Sequence, residues 1–118
     1  MAYIYIVRCD DASLYTGITN DIEKRLTNHA EGTGPSHAKY MRSHRPEKLL
    51  ALWETDEYKV AAKLEYAIKK RLSRSEKLSL IENPEKVHEF FPHLEEFCFR
   101  ALDTSFFSFE RKDENEPK

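Results

Sequence analysis

Tyr3 and Tyr5, then Tyr15-Thr16-Gly17, then Arg25 and His29 four residues apart, and finally Glu65 set phenols, a fixed cation, an imidazole and a carboxylate in order along the chain. These are the parts needed to activate water, steady a phosphate and hold a divalent metal, which is the chemistry of phosphodiester cleavage. Residues four apart on a helix share a face, so Arg25 and His29 can reach one site. A guanidinium forks onto two phosphate oxygens, which suits Arg25 to a phosphate undergoing displacement. A surface pairing with Asp21 is the alternative. A phenol with a pKa of about 10 stays protonated at neutral pH, so Tyr5 or Tyr15 needs an imidazole or a metal-bound water to help it take a proton. Filling space in strands is the plainer role for either tyrosine. Gly17 permits close backbone approach, or simply an ordinary turn before a helix. Glu65 borders an apolar stripe and needs a partner, either a divalent cation or Lys69 at i+4. One carboxylate suffices only for a magnesium-like ion that keeps most of its waters.

The elements that position these groups follow from apolar spacing and turn chemistry. Residues 2–7 form a short run rich in Tyr and Ile, and Leu14 to Ile18 form a second. The polar stretch Cys9-Asp10-Asp11-Ala12-Ser13 between them predicts a β-hairpin. Asn20 with Glu23 three residues on predicts a helix N-cap, and Ile22, Leu26 and Ala30 mark one face of the helix that follows. Gly32 and Gly34-Pro35 stop it. Lys48 to Glu54 predicts a third strand, and Asp56 is placed to cap the next helix. There Val60, Ala61, Leu64, Ala67, Ile68 and Leu72 recur at helical spacing and leave Glu65 on the flank of the stripe. Ser73-Arg74-Ser75-Glu76 reads as a capping box opening a shorter helix that ends near Asn83-Pro84. The order ββαβαα predicts an α/β (α+β) fold over residues 1–83, a small three-stranded antiparallel sheet flanked by helices. Residues 84–118 make an aromatic-rich, acidic C-terminal extension with no steady period. All seven Phe of the chain lie in it. It is expected to be partly ordered and packed on the domain, with residues 110–118 loose.

At 118 residues with 40% apolar content, the chain is one domain with a single core. A net charge of −2 speaks against a polyanionic partner until the charge is divided along the chain. Residues 1–83 carry 14 Lys and Arg against 12 Asp and Glu, whereas residues 84–118 carry 5 against 9. In the basic part, His37, Lys39, Arg42, His44 and Arg45 crowd around Tyr40, offering charge and a stacking surface to nucleic acid. A solvated loop is the alternative. Cys9 and Cys98 are too few and too far apart for a redox or zinc motif, so reduced thiols and a cytoplasmic location are expected. No apolar run approaches the roughly 20 residues needed to span a bilayer. His37, His44, His88 and His93 lack a zinc-binding pattern and are expected in structural or surface roles. No phosphate-binding loop, dinucleotide fingerprint or serine-nucleophile elbow is present, which argues against a nucleotide hydrolase or an esterase.

Tyr3-Ile4-Tyr5, Tyr15-Thr16-Gly17, Arg25, His29 and Glu65, taken together, resemble the GIY-YIG nuclease domain over residues 1 to 83. The similarity is greatest to its small stand-alone bacterial members, which share starts like Tyr5-Ile6-Val7-Arg8 and Leu14-Tyr15-Thr16-Gly17-Ile18-Thr19. Tyr3 stands where the first tripeptide has Gly, and Thr16 where the second has Ile. The resemblance implies a metal-dependent endonuclease hydrolysing phosphodiester bonds in DNA, in repair or in processing of structured DNA. It implies that Tyr5 and Tyr15 line the site and one helps deprotonate water. Arg25 would then steady the phosphate, His29 assist the proton relay, and Glu65 ligate one Mg²⁺ or Mn²⁺. Gly17, Lys39, Tyr40, Arg42 and Arg45 are the candidate substrate contacts, and nucleic acid is the expected partner, DNA ahead of RNA. Many members carry an Asn where this chain has Lys77. Two other expectations stay open. One is a nucleic-acid-binding module that has lost efficient chemistry, and the other a protein-docking or self-association surface in residues 84–118.

Overall fold

The computed structural model describes residues 1–31 and 44–109. The Tyr- and Ile-rich start forms β1 (Ala2–Cys9), which pairs antiparallel with β2 (Leu14–Thr19) through a tight turn. Ala12 takes a positive φ of 70° in that turn, and the Ser13 N–H and hydroxyl both donate to Asp11 Oδ1. β3 (Pro46–Thr55) pairs antiparallel on the other side of β1. A two-residue strand β4 (Arg100–Ala101) then pairs with Glu54 and Trp53 of β3.

The sheet therefore has four strands, in the order β2-β1-β3-β4, where the sequence predicts three. The fourth is too short to show any alternation, and tertiary contacts hold it. Arg100 Nε donates to Glu54 Oε1 at 3.0 Å, Thr55 Oγ1 to the Cys98 carbonyl at 2.7 Å, and Leu102 N to the Leu52 carbonyl at 2.8 Å.

Helix α1 spans Ile22–Glu31, α2 Tyr58–Arg71, α3 Arg74–Glu82 and α4 Val87–Phe90, with 3-10 turns at Pro84–Lys86 and Pro92–Leu94. The cap of α1 is Asp21, one residue beyond the predicted Asn20. Its Oδ1 accepts from Lys24 N at 3.1 Å, its carbonyl accepts from Arg25 N at 3.0 Å, and its own N–H is bonded to Thr19 Oγ1. Both side chains can cap. The Thr19 bond decides between them by fixing where the strand turns into the helix. Asp56 does not cap α2. Glu57 holds that position without a side-chain bond, and the Asp56 carboxylate faces Arg100 at 3.4 Å. The Ser73–Glu76 capping box of α3 forms as predicted, with both reciprocal bonds present. No helix among the described residues is long and apolar enough to cross a membrane.

Strand alternation sends side chains to opposite faces of the sheet. Ile4 and Ile6 face a core completed by Ala61, Leu64 and Ile68 of α2, Leu80 of α3, and Val87, Phe91 and Leu94. Tyr5, Val7 and Cys9 face the other way, against Leu26 of α1 and Phe109, with Leu102 and Phe107 packed at its margin. The aromatic segment thus contributes to both faces, and the Trp53 indole N–H donates to the Pro84 carbonyl at 2.7 Å. Phe91 is buried to 2% exposure in the first core. Phe91→Ala should therefore lower unfolding free energy by about 3–5 kcal/mol. Urea denaturation measures it, and a loss below about 1 kcal/mol would mean that this segment is an appendage and not a core member.

Candidate functional site

Tyr5 and Gly17 are cross-strand partners on the sheet face covered by α1. A Cβ on Gly17 would lie 2.5 Å from Tyr5 Oη, 2.6 Å from its Cζ and 3.0 Å from Tyr15 Cε1. The phenol of Tyr5 therefore crosses the bare backbone of β2. That is the close approach Gly17 permits, and it makes Gly17 a buried seat for Tyr5 rather than an exposed substrate contact.

Helix α1 brings the cation and the imidazole to this phenol. Leu26 anchors the helix in the core, and His29, 1% exposed, enters beside it. His29 Nε2 lies 2.9 Å from Tyr5 Oη. Arg25 Nη1 donates to Tyr5 Oη at 3.4 Å and to the Ile18 carbonyl at 3.1 Å. Arg25 thus turns toward the hairpin, while the Asp21 carboxylate serves the helix cap. The ring of Tyr15 stands edge-on to His29, with centroids 6.0 Å apart and planes at 80°, and lies 6.3 Å from the ring of Tyr5. Tyr3 is drawn away from this group, its hydroxyl donating to Glu54 Oε2 at 3.3 Å.

Burial raises the pKa of Tyr5 well above the ordinary phenol value of 10.0. The hydrogen bond and positive charge of Arg25 oppose the rise, and Tyr15 and Glu65 add to it. Tyr15 is raised as well, first by burial and then by Glu65, against the pull of Arg25. Neither phenol is ionised at neutral pH. A proton taken by one of them must leave it at the same time.

Glu65 comes from α2, on the other face of the sheet. Its helix packs against β2, and its charge adds a small upward push to the pKa of both phenols. Its carboxylate pairs with Lys69 at 3.8 Å, with the Lys69 side chain 49% exposed. The Glu65 side chain is 24% exposed, and a long i,i+4 pair with its Lys end in water is worth about 0.5 kcal/mol, a weak competitor to a metal. Among the described residues no three of His, Cys, Asp and Glu gather into a metal-binding group. Glu65 alone fits a hydrated Mg²⁺-type ion, which needs one or two carboxylates and keeps several waters.

Of the predicted substrate contacts, Lys39, Tyr40 and Arg42 lie outside the described residues. Arg45 is exposed, its carbonyl accepting from Asp10 N at 2.8 Å beside the Cys9–Pro46 pair. That is four residues along β1 from Tyr5, about 13 Å at the usual strand rise. Arg45 is not gathered with the phenols. His44 pairs with Asp11 at 3.4 Å, His88 Nε2 is bonded to the Phe97 carbonyl at 2.7 Å, and His93 stands edge-on to Phe91. The Ile18 carbonyl that orients Arg25 was not foreseen. The hairpin register held a signal for Gly17, because pairing outward from Arg8 and Leu14 sets Tyr5 opposite the one residue without a side chain.

The GIY-YIG catalytic domain matches residues 1–79 of the chain. The chain belongs to the GIY-YIG family. Relatives include the UPF0213 protein YsiG of Lactococcus lactis, 42% identical over 93 residues that cover 79% of this chain and 86% of that one. A UPF0213 protein of Syntrophus aciditrophicus is 49% identical over 86 residues, 72% of this chain and 95% of its own. The solution NMR structure of the UPF0213 protein BH0048 from Bacillus halodurans is 38% identical, with a TM-score of 0.46 over 76% of this chain and 93% of that one. GIY-YIG domains are nuclease domains, generally dependent on a divalent metal, and act on nucleic acid. The strand β4 lies beyond the matched residues.

Two outcomes follow from the packing of Tyr5. Gly17→Ala should lower stability by about 1–3 kcal/mol through overpacking, and Tyr5→Phe should restore only part of it, since Cζ still crowds the new methyl group. Chemical denaturation of the single and double variants measures this, and a neutral Gly17→Ala would refute the packing. The second outcome concerns pH. A phenol whose folded pKa is raised contributes stability that is fully present below its unfolded pKa of 10.0 and is lost as pH rises above it. Melting temperature should therefore fall above about pH 10, and less steeply in Tyr5→Phe than in wild type. Identical alkaline profiles would contradict the shift.

Proposed function

We infer that the protein is a divalent-metal-dependent endonuclease that hydrolyses phosphodiester bonds in DNA, with branched or otherwise structured DNA of the kind met in repair as its substrate class. The observation that supports this most is the buried chain of contacts Arg25–Tyr5–His29, seated on Gly17 and within the electrostatic reach of Glu65. Residues 1–83 are the nuclease unit in this reading, and residues 84–118 an acidic extension that supports it. Two free cysteines agree with a reducing, cytoplasmic setting.

A water entering beside Tyr5 gives a proton to Oη while Tyr5 passes its phenolic proton to His29 Nε2. The raised pKa of Tyr5 suits this order, because no free phenolate has to exist between the two transfers. The water oxygen bonds to phosphorus in line with the departing oxygen, the P–O bond breaks, the leaving alkoxide takes a proton from solvent, and His29 returns its extra proton to solvent through Tyr5 as the products leave. Arg25 uses Nη1 to hold Tyr5 and the Ile18 carbonyl. Its guanidinium carries five N–H donors, enough to fork onto a phosphate oxygen as well. A Mg²⁺ or Mn²⁺ ion at Glu65, when bound, supplies neutralising charge at the phosphoryl and leaving oxygens. Because water is the nucleophile, the substrate needs no 2′-hydroxyl, so the same chemistry is open to DNA. Lys39, Tyr40, Arg42 and Arg45 would meet the flanking backbone, where phosphate contacts set position and not sequence.

Lys77, in α3 where many members carry Asn, favours a second reading, a binding module on the same scaffold. A cleavage screen separates the two. Wild type with Mg²⁺ or Mn²⁺ should cut at least one of single-stranded, flapped or branched DNA. Tyr5→Phe and Glu65→Gln should each slow it by about 10²–10⁴-fold. Salt-sensitive binding without metal-dependent cutting of any of the three would replace the enzyme with the binding module.

A further inference from the structure

Helix α2 has two flanks, and only one of them bears Glu65. Its buried stripe is Val60, Ala61, Leu64, Ala67 and Ile68. At 3.6 residues per turn, Glu65 borders one side of that stripe, while Lys63 borders the other and Tyr66 follows it toward the outer face. Beside Lys63 and Tyr66, where Pro92–Leu94 approaches, lies an open cavity of about 340 Å³ lined by Ala62, Lys63, Tyr66, Arg71, His93 and Leu94. Tyr66 is 59% exposed, a large aromatic face that the fold does not bury. The Lys63 ammonium is held 5.9 Å from the centroid of Phe97, and the ring of His93 stands edge-on to Phe91. The cavity thus has an apolar floor, one exposed phenol ring, two cations and an imidazole. No carboxylate among the described residues lines it.

We propose that this cavity is a subsite for one nucleotide of a single strand, with the base stacked on Tyr66 and its phosphates on Lys63 and Arg71. A volume of about 340 Å³ is near the lower end for small-ligand sites, which run from about 300 to 1,000 Å³, and it suits one nucleotide better than a duplex. Every base offers a π-face to an aromatic ring, and phosphate meets the two cations, so the lining matches both halves of a nucleotide. An acidic peptide would use the cations and leave Tyr66 without a partner. A strand seated here reaches Glu65 only by crossing the outer ridge of α2, about 10–12 Å wide with side chains, where Lys59, Lys69 and Lys70 are exposed. The subsite would hold unpaired strand on the far side of the helix from the cleavage centre. It would favour substrates with a single-stranded branch over plain duplex.

The choice of ligand rests on the nuclease reading, but the test does not require cleavage. The full chain is titrated into a fluorescent single-stranded oligothymidylate in EDTA, and binding is followed by anisotropy. Tyr66→Ala should weaken binding about tenfold, the stacking contribution of one base, and Tyr66→Phe should bind like wild type. Lys63→Ala with Arg71→Ala should weaken it further and flatten its salt dependence. Circular dichroism checks that each variant folds, which the exposure of Tyr66 leads us to expect. Wild-type binding by Tyr66→Ala, or loss in Tyr66→Phe equal to that in Tyr66→Ala, overturns the subsite. Metal-dependent cleavage by a protein whose binding ignores Tyr66 would leave the nuclease standing and remove this site. Tyr66-dependent binding without cleavage would do the reverse.

Discussion

The buried bond between Tyr5 Oη and His29 Nε2, 2.9 Å long, joins the first hairpin to the first helix and sets the position of everything chemical around it. It requires a strand partner without a side chain, supplied by Gly17, and a helix that begins at one residue and no other, supplied by the Asp21 cap and its Thr19 anchor. Arg25 then lies one turn before His29 and reaches the same phenol. Losing one partner of a buried hydrogen bond costs about 1–3 kcal/mol, a large fraction of the stability of a small domain. Burial that makes the bond strong also keeps the phenol protonated, so the group that would accept a proton from water must have somewhere to send its own.

The sheet divides the labour between its faces. On one face α1 and the residues Leu102, Phe107 and Phe109 pack into the smaller core that holds Tyr5, while on the other α2, α3 and the aromatic segment form the larger one. Glu65 belongs to the second face, on a helix that packs against β2, and its charge still raises the pKa of both phenols slightly. An edge strand is the one place where side chains from both faces can meet without passing through the core, and β2 is such a strand. The extension beyond the matched family residues closes the opposite edge. Arg100 pairs there with Glu54, which also takes the Tyr3 hydroxyl and so holds that tyrosine apart from Tyr5 and His29.

Much of this was readable from residue types and spacing, for stated reasons. The hairpin, the four-residue interval of Arg25 and His29, the Ser73–Glu76 box and the flanking position of Glu65 are local patterns, and local patterns survive folding. What escaped depends on contacts distant in sequence. β4 has two residues and is held by partners some 45 positions away, which no periodicity reports. Asn20 and Asp21 are both good caps, and only the Thr19 bond chooses between them. Asp56 looks like a cap until Arg100 arrives to claim its carboxylate. Gly17 looks like a turn residue or a substrate contact until the ring of Tyr5 is laid across it.

The central claim is that the Tyr5 proton points at His29, ready to move when water gives up its own. Nitrogen-15 NMR of the imidazole rings in the metal-free protein tests this directly, because it reports which ring nitrogen carries hydrogen. The account predicts His29 with its proton on Nδ1 and an accepting Nε2 whose resonance moves in Tyr5→Phe. A proton resident on Nε2, donated toward the phenol oxygen, would contradict it.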